Sequence, residues 1–249
     1  MATKIRRPWN SAMNFVSMMH YSRFIRQGLR SLGYLLFPDH CLHCSIVLEE
    51  GERHLCTSCR TRLKCTDHCR IHRNELLHLF SGRVPITFAS AFWYFDSEGP
   101  SHEVLHAIKY ARRIAAAREF GFEFGLQIRK GASRPDALCP IPLHPSKERK
   151  RGYNQAEEIA IGISQASGIP LWNGLERTRK TSTQTNKNAL ERMQNVEGVF
   201  RLKKGVDIPK RIALVDDVVT TGSTLESARL AISPQAEVGI YALAWAMKK

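Results

Sequence analysis

Acidic residues are scarce in this chain: Asp and Glu number 23 against 37 Lys and Arg, a formal net charge of +14. A surface this poor in negative charge favours phosphate-bearing partners, either nucleic acid or phosphorylated metabolites. Long hydrophobic runs are missing too. No stretch approaches the roughly 20 apolar residues that a bilayer span requires, so stable membrane insertion is not expected. The basic N-terminal stretch "MATKIRRPWNSAMNFVSMMHYSRFIRQ" is interrupted by polar residues before a continuous signal-peptide core can form, which leads to the expectation of a soluble cytoplasmic protein. Low-complexity tracts and internal repeats are absent as well, which argues against a solenoid. What remains is a chain of 249 residues, 43% hydrophobic, long enough for one full-sized core and a small accessory module.

Cysteine is unevenly spread. Six of the seven fall between Cys41 and Cys69. "CLHC" (Cys41, Cys44) and "CTSC" (Cys56, Cys59) are two CxxC knuckles able to surround one Zn²⁺ with four thiolates, a closed shell that is structural and not catalytic. Disulfides suit a secreted small domain, and no secretion signal is read here. Cys65 and Cys69 lack knuckle spacing. With His68, His72 and His78 nearby a second metal is conceivable, but surface histidines beside incidental thiols are the expectation. Cys139, in "ALCPIPL", reads as a core residue.

Three regions follow from the pattern. Residues 1–38 read as a basic, partly amphipathic helical lead-in packed on the body, and residues 39–85 as a zinc-ribbon module and connector. From residue 86 to 249 the chain alternates strands and helices. "ASAFWYF" reads as a strand, and "SHEVLHAIKYARRIAAAREFGFEFGLQI" as one long helix begun by Ser101. "DALCPIPL" is a short strand, and "NQAEEIAIGISQAS" a helix closed by Gly168. Leu171–Trp172 could begin a further strand, and "GVFRL", "RIALVDD" and "AEVGIYALAWA" complete the set. Apolar strands without alternation, interleaved with helices, predict an α/β fold with a parallel sheet covered on both faces. Ligands of such sheets bind outside the carboxyl ends of the strands.

There the sequence places "RIALVDDVVTTGSTLESARL": an apolar run, two adjacent carboxylates, then small hydroxyl and glycine residues leading into a helix. It is not a Walker loop, because no lysine follows Gly222, and not a dinucleotide fingerprint, because the turn holds one glycine. A phosphotransferring DxDxT nucleophile would need a carboxylate where Val218 stands. What is left is a cradle for an anion. Free N–H groups at the helix start and the hydroxyls of Thr220, Thr221, Ser223 and Thr224 can donate, while Gly222 permits close approach. Asp216 and Asp217, just upstream, suit sugar hydroxyls. A sugar carrying a 5-phosphate meets both demands.

"IALVDDVVTTGST" resembles, without a gap, the phosphoribosyl pyrophosphate (PRPP) motif of type I phosphoribosyltransferases. "CLHC…CTSC", "LHAIKY", "PIPLHPSKERKRGYNQAEEIA" and "LERTRKTSTQTNKNALERMQNVEGVF" resemble the ComF/GntX family of competence-protein-like chains. The likeness spans roughly residues 34–249. In such proteins a glycine usually follows "KY" within two residues; here Ala111, Arg112 and Arg113 follow instead. The second pair of zinc knuckles that some members carry is absent.

The resemblance implies a type I phosphoribosyltransferase-like sheet, preceded by the zinc module, that binds PRPP with Mg²⁺ and transfers phosphoribose to an unnamed acceptor. Asp216 and Asp217 would hold the ribose hydroxyls. Thr220, Thr221, Gly222, Ser223 and Thr224 would hold the 5-phosphate, and Val218 and Val219 complete the PRPP-binding stretch. Arg149 and Arg151, in a loop after a strand, would face pyrophosphate. Arg177, Arg179, Thr183, Gln184 and Arg192 would sit on a mobile loop that closes over it. No residue stands out as a general base. The alternative that the resemblance implies is a non-catalytic module binding single-stranded DNA during DNA uptake, with Trp9, Tyr153 and Trp172 available for base stacking.

Overall fold

Leu214 and its neighbours in "RIALVDD" can all be apolar because the strand they form is covered on both sides. The structure is a computed structural model that describes residues 38–178 and 198–247. The expected helical lead-in, apart from Pro38, lies outside those residues. In chain order the elements are α1 (Thr57–Thr61), α2 (Glu75–His78), β1 (Ala89–Tyr94), α3 (Pro100–Tyr110), α4 (Ile114–Arg129), β2 (Ala137–Pro140), α5 (Pro145–Arg151), α6 (Gln155–Ser167), β3 (Leu175–Arg177), β4 (Phe200–Leu202), β5 (Arg211–Val219), α7 (Ser223–Leu230) and β6 (Glu237–Trp245).

Four of these strands form a sheet in the order β1-β6-β5-β2, and every neighbouring pair is parallel. Successive side chains of a strand point to opposite faces. On β5, Ala213 and Val215 join a core with Phe120, Phe124, Ile159 and Ile163 of α4 and α6. Ile212 and Leu214 join the opposite core with Leu225 and Ala228 of α7. The fold is therefore α/β, with a parallel sheet and helices on both faces. The cysteine module docks on the α4 side: Leu48 and Leu55 enter the first core, and Arg60 grips the Glu123 carboxylate with bonds of 2.8 to 3.0 Å.

α4 and α6 pack backbone to backbone. Gly121 and Gly125 lie against the Ile159 and Ile163 carbonyls, and Gly162 against the Arg118 carbonyl and the Phe122 amide. No side chain of any size fits between them. This close crossing fixes α6 and, through the residues before it, the segment leading from β2.

Four expectations change. The long helix is two, because Arg112 adopts φ 53 and turns the chain between Tyr110 and Ile114. The amphipathic phase runs on across the break, so periodicity hides it. The first of the two starts at Gly99, with Pro100 in its first turn, and Ser101 instead accepts from the Asp96 amide at 2.9 Å. "GVFRL" contributes β4, which pairs antiparallel with β3 outside the parallel sheet. Leu171 makes only an isolated bridge to Leu138. "NQAEEIAIGISQAS" is a helix from an Asn154 cap to Gly168, as its pattern predicts.

Gly162→Ala should lower the urea midpoint, because its methyl group would enter the α4 backbone; overpacking of this kind costs about 1–3 kcal/mol. A midpoint equal to that of the parent protein would show slack at the crossing.

Candidate functional site

The acid pair lies inside β5 and not beyond it. Asp216 stands opposite Ala242 of β6, and the strand continues to Val219. Alternation sends the two carboxylates to opposite faces. Asp217, 8% exposed, faces the α3 side, where Lys109 Nζ reaches its Oδ2 at 3.2 Å. Lys109 is in the last turn of α3, where a cation also suits the helix dipole. Asp216 turns to the β3–β4 side and accepts a hydrogen bond from the Asp217 amide at 2.9 Å. Burial, then the charge of Asp217, pushes its carboxyl up from an ordinary 3.8 to about 7, against the pull of that amide, Lys109 and Arg177. The Arg177 guanidinium is held over the Phe200 ring, 5.2 Å from its centre. Each carboxylate thus has a cation on its own face of the sheet.

Past Val219 the chain turns through Thr220 and Thr221 to Gly222, which has φ 78 and caps α7. Gly222 is required twice over: its backbone is left-handed, and a β-carbon would meet the Phe80 ring at 2.6 Å. Thr221 Oγ1 and Ser223 Oγ lie 3.0 Å apart, and the Ser223 amide lies 3.5 Å from Thr221 Oγ1. The remaining first-turn amides have no partner within the helix, as at any helix start. Arg83 holds the turn from beneath, donating to the Thr221 carbonyl at 3.0 Å and pairing with Glu226. The connector after the cysteine module thereby buttresses the turn.

The segment expected as a basic loop is mostly the helix α5, with Arg149 and Lys150 exposed and without ion pairs among the described residues. Arg151 lies over the Tyr110 ring at 5.6 Å. "GYN" after it is structural: Gly152 ends α5, Tyr153 bonds to the Ile108 carbonyl, and Asn154 caps α6 while donating to the Ile141 carbonyl at 3.0 Å. Arg179, Thr183, Gln184 and Arg192 lie outside the described residues, as does Trp9. Of the other aromatics available for base stacking, Tyr153 is buried and Trp172 donates its indole N–H to the Asp207 carbonyl at 2.9 Å.

The four knuckle thiols gather as a set. All four Sγ atoms lie within 4.8 Å of one another, and Cys44 and Cys56 are 3.7 Å apart. A tetrahedron with Zn–S bonds of about 2.3 Å has edges of roughly 3.8 Å, so the donor set fits that ion. Burial works against ionising Cys41, but amides of Cys44, Cys56 and His43 outweigh it and bring that thiol down to about 6. Burial and the neighbouring thiols push Cys59 up. Among the described residues no second cluster forms around Cys65, Cys69 and His72. His68 is no surface residue: it is 3% exposed, takes the Ala91 amide on Nδ1 at 3.3 Å, and packs between Tyr94 and Trp245.

Lys109 was not singled out by the sequence alone, because its partner is far along the chain. Among the described residues, no helix is long and apolar enough to cross a membrane.

No family model matches the chain. Competence protein F of Haemophilus influenzae is 28% identical over 205 residues, covering 76% of this chain and 88% of that protein. DNA utilization protein YhgH of Salmonella typhimurium is 32% identical over 205 residues, covering 77% and 89%. A solved glutamine phosphoribosylpyrophosphate amidotransferase from B. subtilis is 26% identical over 50% of this chain and 26% of its own, at a TM-score of 0.33.

The raised Asp216 predicts a pH signature. The unfolded carboxyl ionises near 3.8 and the folded one near 7, so its contribution is full below about pH 4 and is lost as the pH climbs to about 7. Asp216→Asn should remove that decline, gaining urea resistance over the parent at pH 8 compared with pH 4. Parallel pH profiles for the two proteins would contradict the burial of this charge.

Proposed function

Because the chain belongs to the ComF-like family of competence protein F and DNA utilization protein YhgH, we propose that it binds PRPP with Mg²⁺ and transfers phosphoribose to an acceptor. The observation that carries this reading is the juxtaposition on one strand end of an acid pair and, five residues on, a left-handed glycine opening a helix. The turn at Thr220–Thr224 offers donors to a phosphate monoester, and the helix start adds partial positive charge. Asp216 and Asp217 offer oxygens to the ribose hydroxyls. With its carboxyl near 7, Asp216 is partly protonated at neutral pH and can donate to one hydroxyl while Asp217 accepts from the other.

In the transfer the acceptor attacks C1, the bond from C1 to the pyrophosphate oxygen breaks, and pyrophosphate leaves with the electron pair. The acceptor's proton goes to solvent or to the leaving group. Positive charge grows on the sugar and negative charge on pyrophosphate, so positioning and electrostatics supply the catalysis. Asp217, buried and paired with Lys109, faces the sugar; Arg177 lies on the Asp216 side, and Arg149 and Arg151 provide the cations for pyrophosphate. A carboxylate oxygen suits a hard cation, and Mg²⁺ when bound would neutralise pyrophosphate charge. Arg179, Thr183, Gln184 and Arg192 belong to this reading as a closing loop. The four knuckle cysteines hold structural Zn²⁺ in residues 39–85, set against a transferase body of residues 86–249 and apart from the lead-in 1–38.

A second reading, binding of single-stranded DNA, is favoured by the net charge of +14 and by Arg149, Lys150, Arg112 and Arg113, which make no ion pair among the described residues. It can hold alongside the first.

Calorimetry with PRPP and Mg²⁺ should give saturable heat in the parent protein and at least a 10-fold weaker affinity in Asp217→Asn, which leaves Lys109 without its partner. Absence of heat in the parent would reject the phosphoribosyl reading. Purified protein should contain about one zinc per chain, and prolonged chelation should lower its melting temperature. A zinc-free protein whose melting is indifferent to chelator would reject the metal assignment.

A further inference from the structure

Lys109 turns inward to Asp217, and the next residue turns out. Tyr110 is 64% exposed, unusual for so large an aromatic side chain. It closes a stripe on α3. His102, His106 and Tyr110 recur every four residues, and their rings follow one another at centroid distances of 6.2 and 4.8 Å. Phe95 abuts the far end, 6.0 Å from His102. The stripe runs about 12 Å along the helix, taking a rise of about 1.5 Å per residue. Arg151 of α5 lies over the Tyr110 ring at 5.6 Å, and the Arg112 guanidinium sits beside Gly152 at the end of that helix. Arg149 and Lys150 continue the cationic surface away from it. Two carboxylates dilute the area: Glu103, 3.0 Å from His102, and Glu148 on α5.

We infer that this outward face of α3, continued by α5, is a track for single-stranded DNA, with Tyr110 as its stacking platform. The inference rests on the second reading above, that the chain binds single-stranded DNA, and it names where. The stripe is built of two imidazoles and a phenol, with half-buried Phe95 only at its far end, so an ordinary protein interface built around an apolar centre does not fit. A row of flat rings beside guanidinium groups that make no ion pair among the described residues matches a chain of unpaired bases on a phosphate backbone: rings take the bases in any sequence, and the cations follow the phosphates. A duplex hides its base faces and could use only the cations. The stripe ends one residue from the lysine that neutralises Asp217, so bound DNA would run past the mouth of the acid pair.

Measure binding of the full-length protein to a fluorescent oligothymidine by anisotropy, with a duplex and an oligouridine of equal length as comparisons. The parent should prefer the single-stranded DNA. Tyr110→Ala should weaken that binding about 5- to 100-fold, and Tyr110→Trp should restore it. The exposed site predicts unchanged thermal melting in both variants. Arg149→Glu with Lys150→Glu should weaken binding and flatten its dependence on salt. If the parent binds oligothymidine but Tyr110→Ala binds equally well, the track is wrong while DNA binding stands. If the parent does not bind oligothymidine at all, the DNA reading fails and the track with it. Equal or tighter binding of duplex or oligouridine overturns the assignment to single-stranded DNA.

Discussion

Two carboxylates side by side within a central, covered strand are the constraint on which this molecule turns. Neighbouring residues of a strand face opposite sides, so Lys109 bonds directly to Asp217 alone while its charge still reaches Asp216. The fold therefore brings Lys109 to Asp217 on one face and Arg177 toward Asp216 on the other. Even so, compensation is incomplete. Asp216 keeps a carboxyl near 7, meaning that the apo protein carries the pair with less than its full charge. A pair held in this condition is costly for stability and has no packing purpose, which is why it reads as a site.

Holding Lys109 in place depends on features far from it. α3 must stop just after it, and the left-handed Arg112 provides the stop. A non-glycine residue in that region costs roughly 1–2 kcal/mol, so the turn is maintained by what flanks it. On one side Tyr153 bonds to the Ile108 carbonyl, tying α3 to the start of α6. On the other, α4 is locked to α6 by glycines that let their backbones touch. The turn after β5 has its own support, Phe80 beneath Gly222 and Arg83 on the Thr221 carbonyl, both from the connector. The cysteine module is joined to the same scaffold through the connector and through Arg60 on Glu123.

Much of this could be read from residues alone, for physical reasons. β5 was legible because an apolar run of four ends in two charges, and the knuckles because metal geometry imposes a spacing on the sequence. The α3–α4 break was not, since neither Gly nor Pro marks it and the amphipathic phase crosses it undisturbed. β3, three residues long, is too short for a pattern and is stabilised by pairing with β4. Lys109 was invisible as a partner because 108 residues separate it from Asp217. Tyr153, an aromatic available for stacking by its type, is core, as scattered aromatics usually are, while the exposed ring belongs to Tyr110. The recurrence of His102, His106 and Tyr110 at four-residue intervals was a signal available from the start, and only the exposure of that face gives it meaning.

The end of α3 is where the two readings of the protein meet. A helix presents successive residues about 100° apart, so adjacent positions can serve an interior and an exterior task at once. Lys109 belongs to the buried acid pair, Tyr110 to the surface, and Arg112 to the turn that positions both. Had the chain kept a glycine in that turn, the bend would cost less, but the surface beside Gly152 would lose a guanidinium group. Arginine at a left-handed position is a poor choice for stability and a sensible one for a cationic face. The strain at Arg112 thus has the same rationale as the excess of basic residues: both set positive charge where phosphate would arrive.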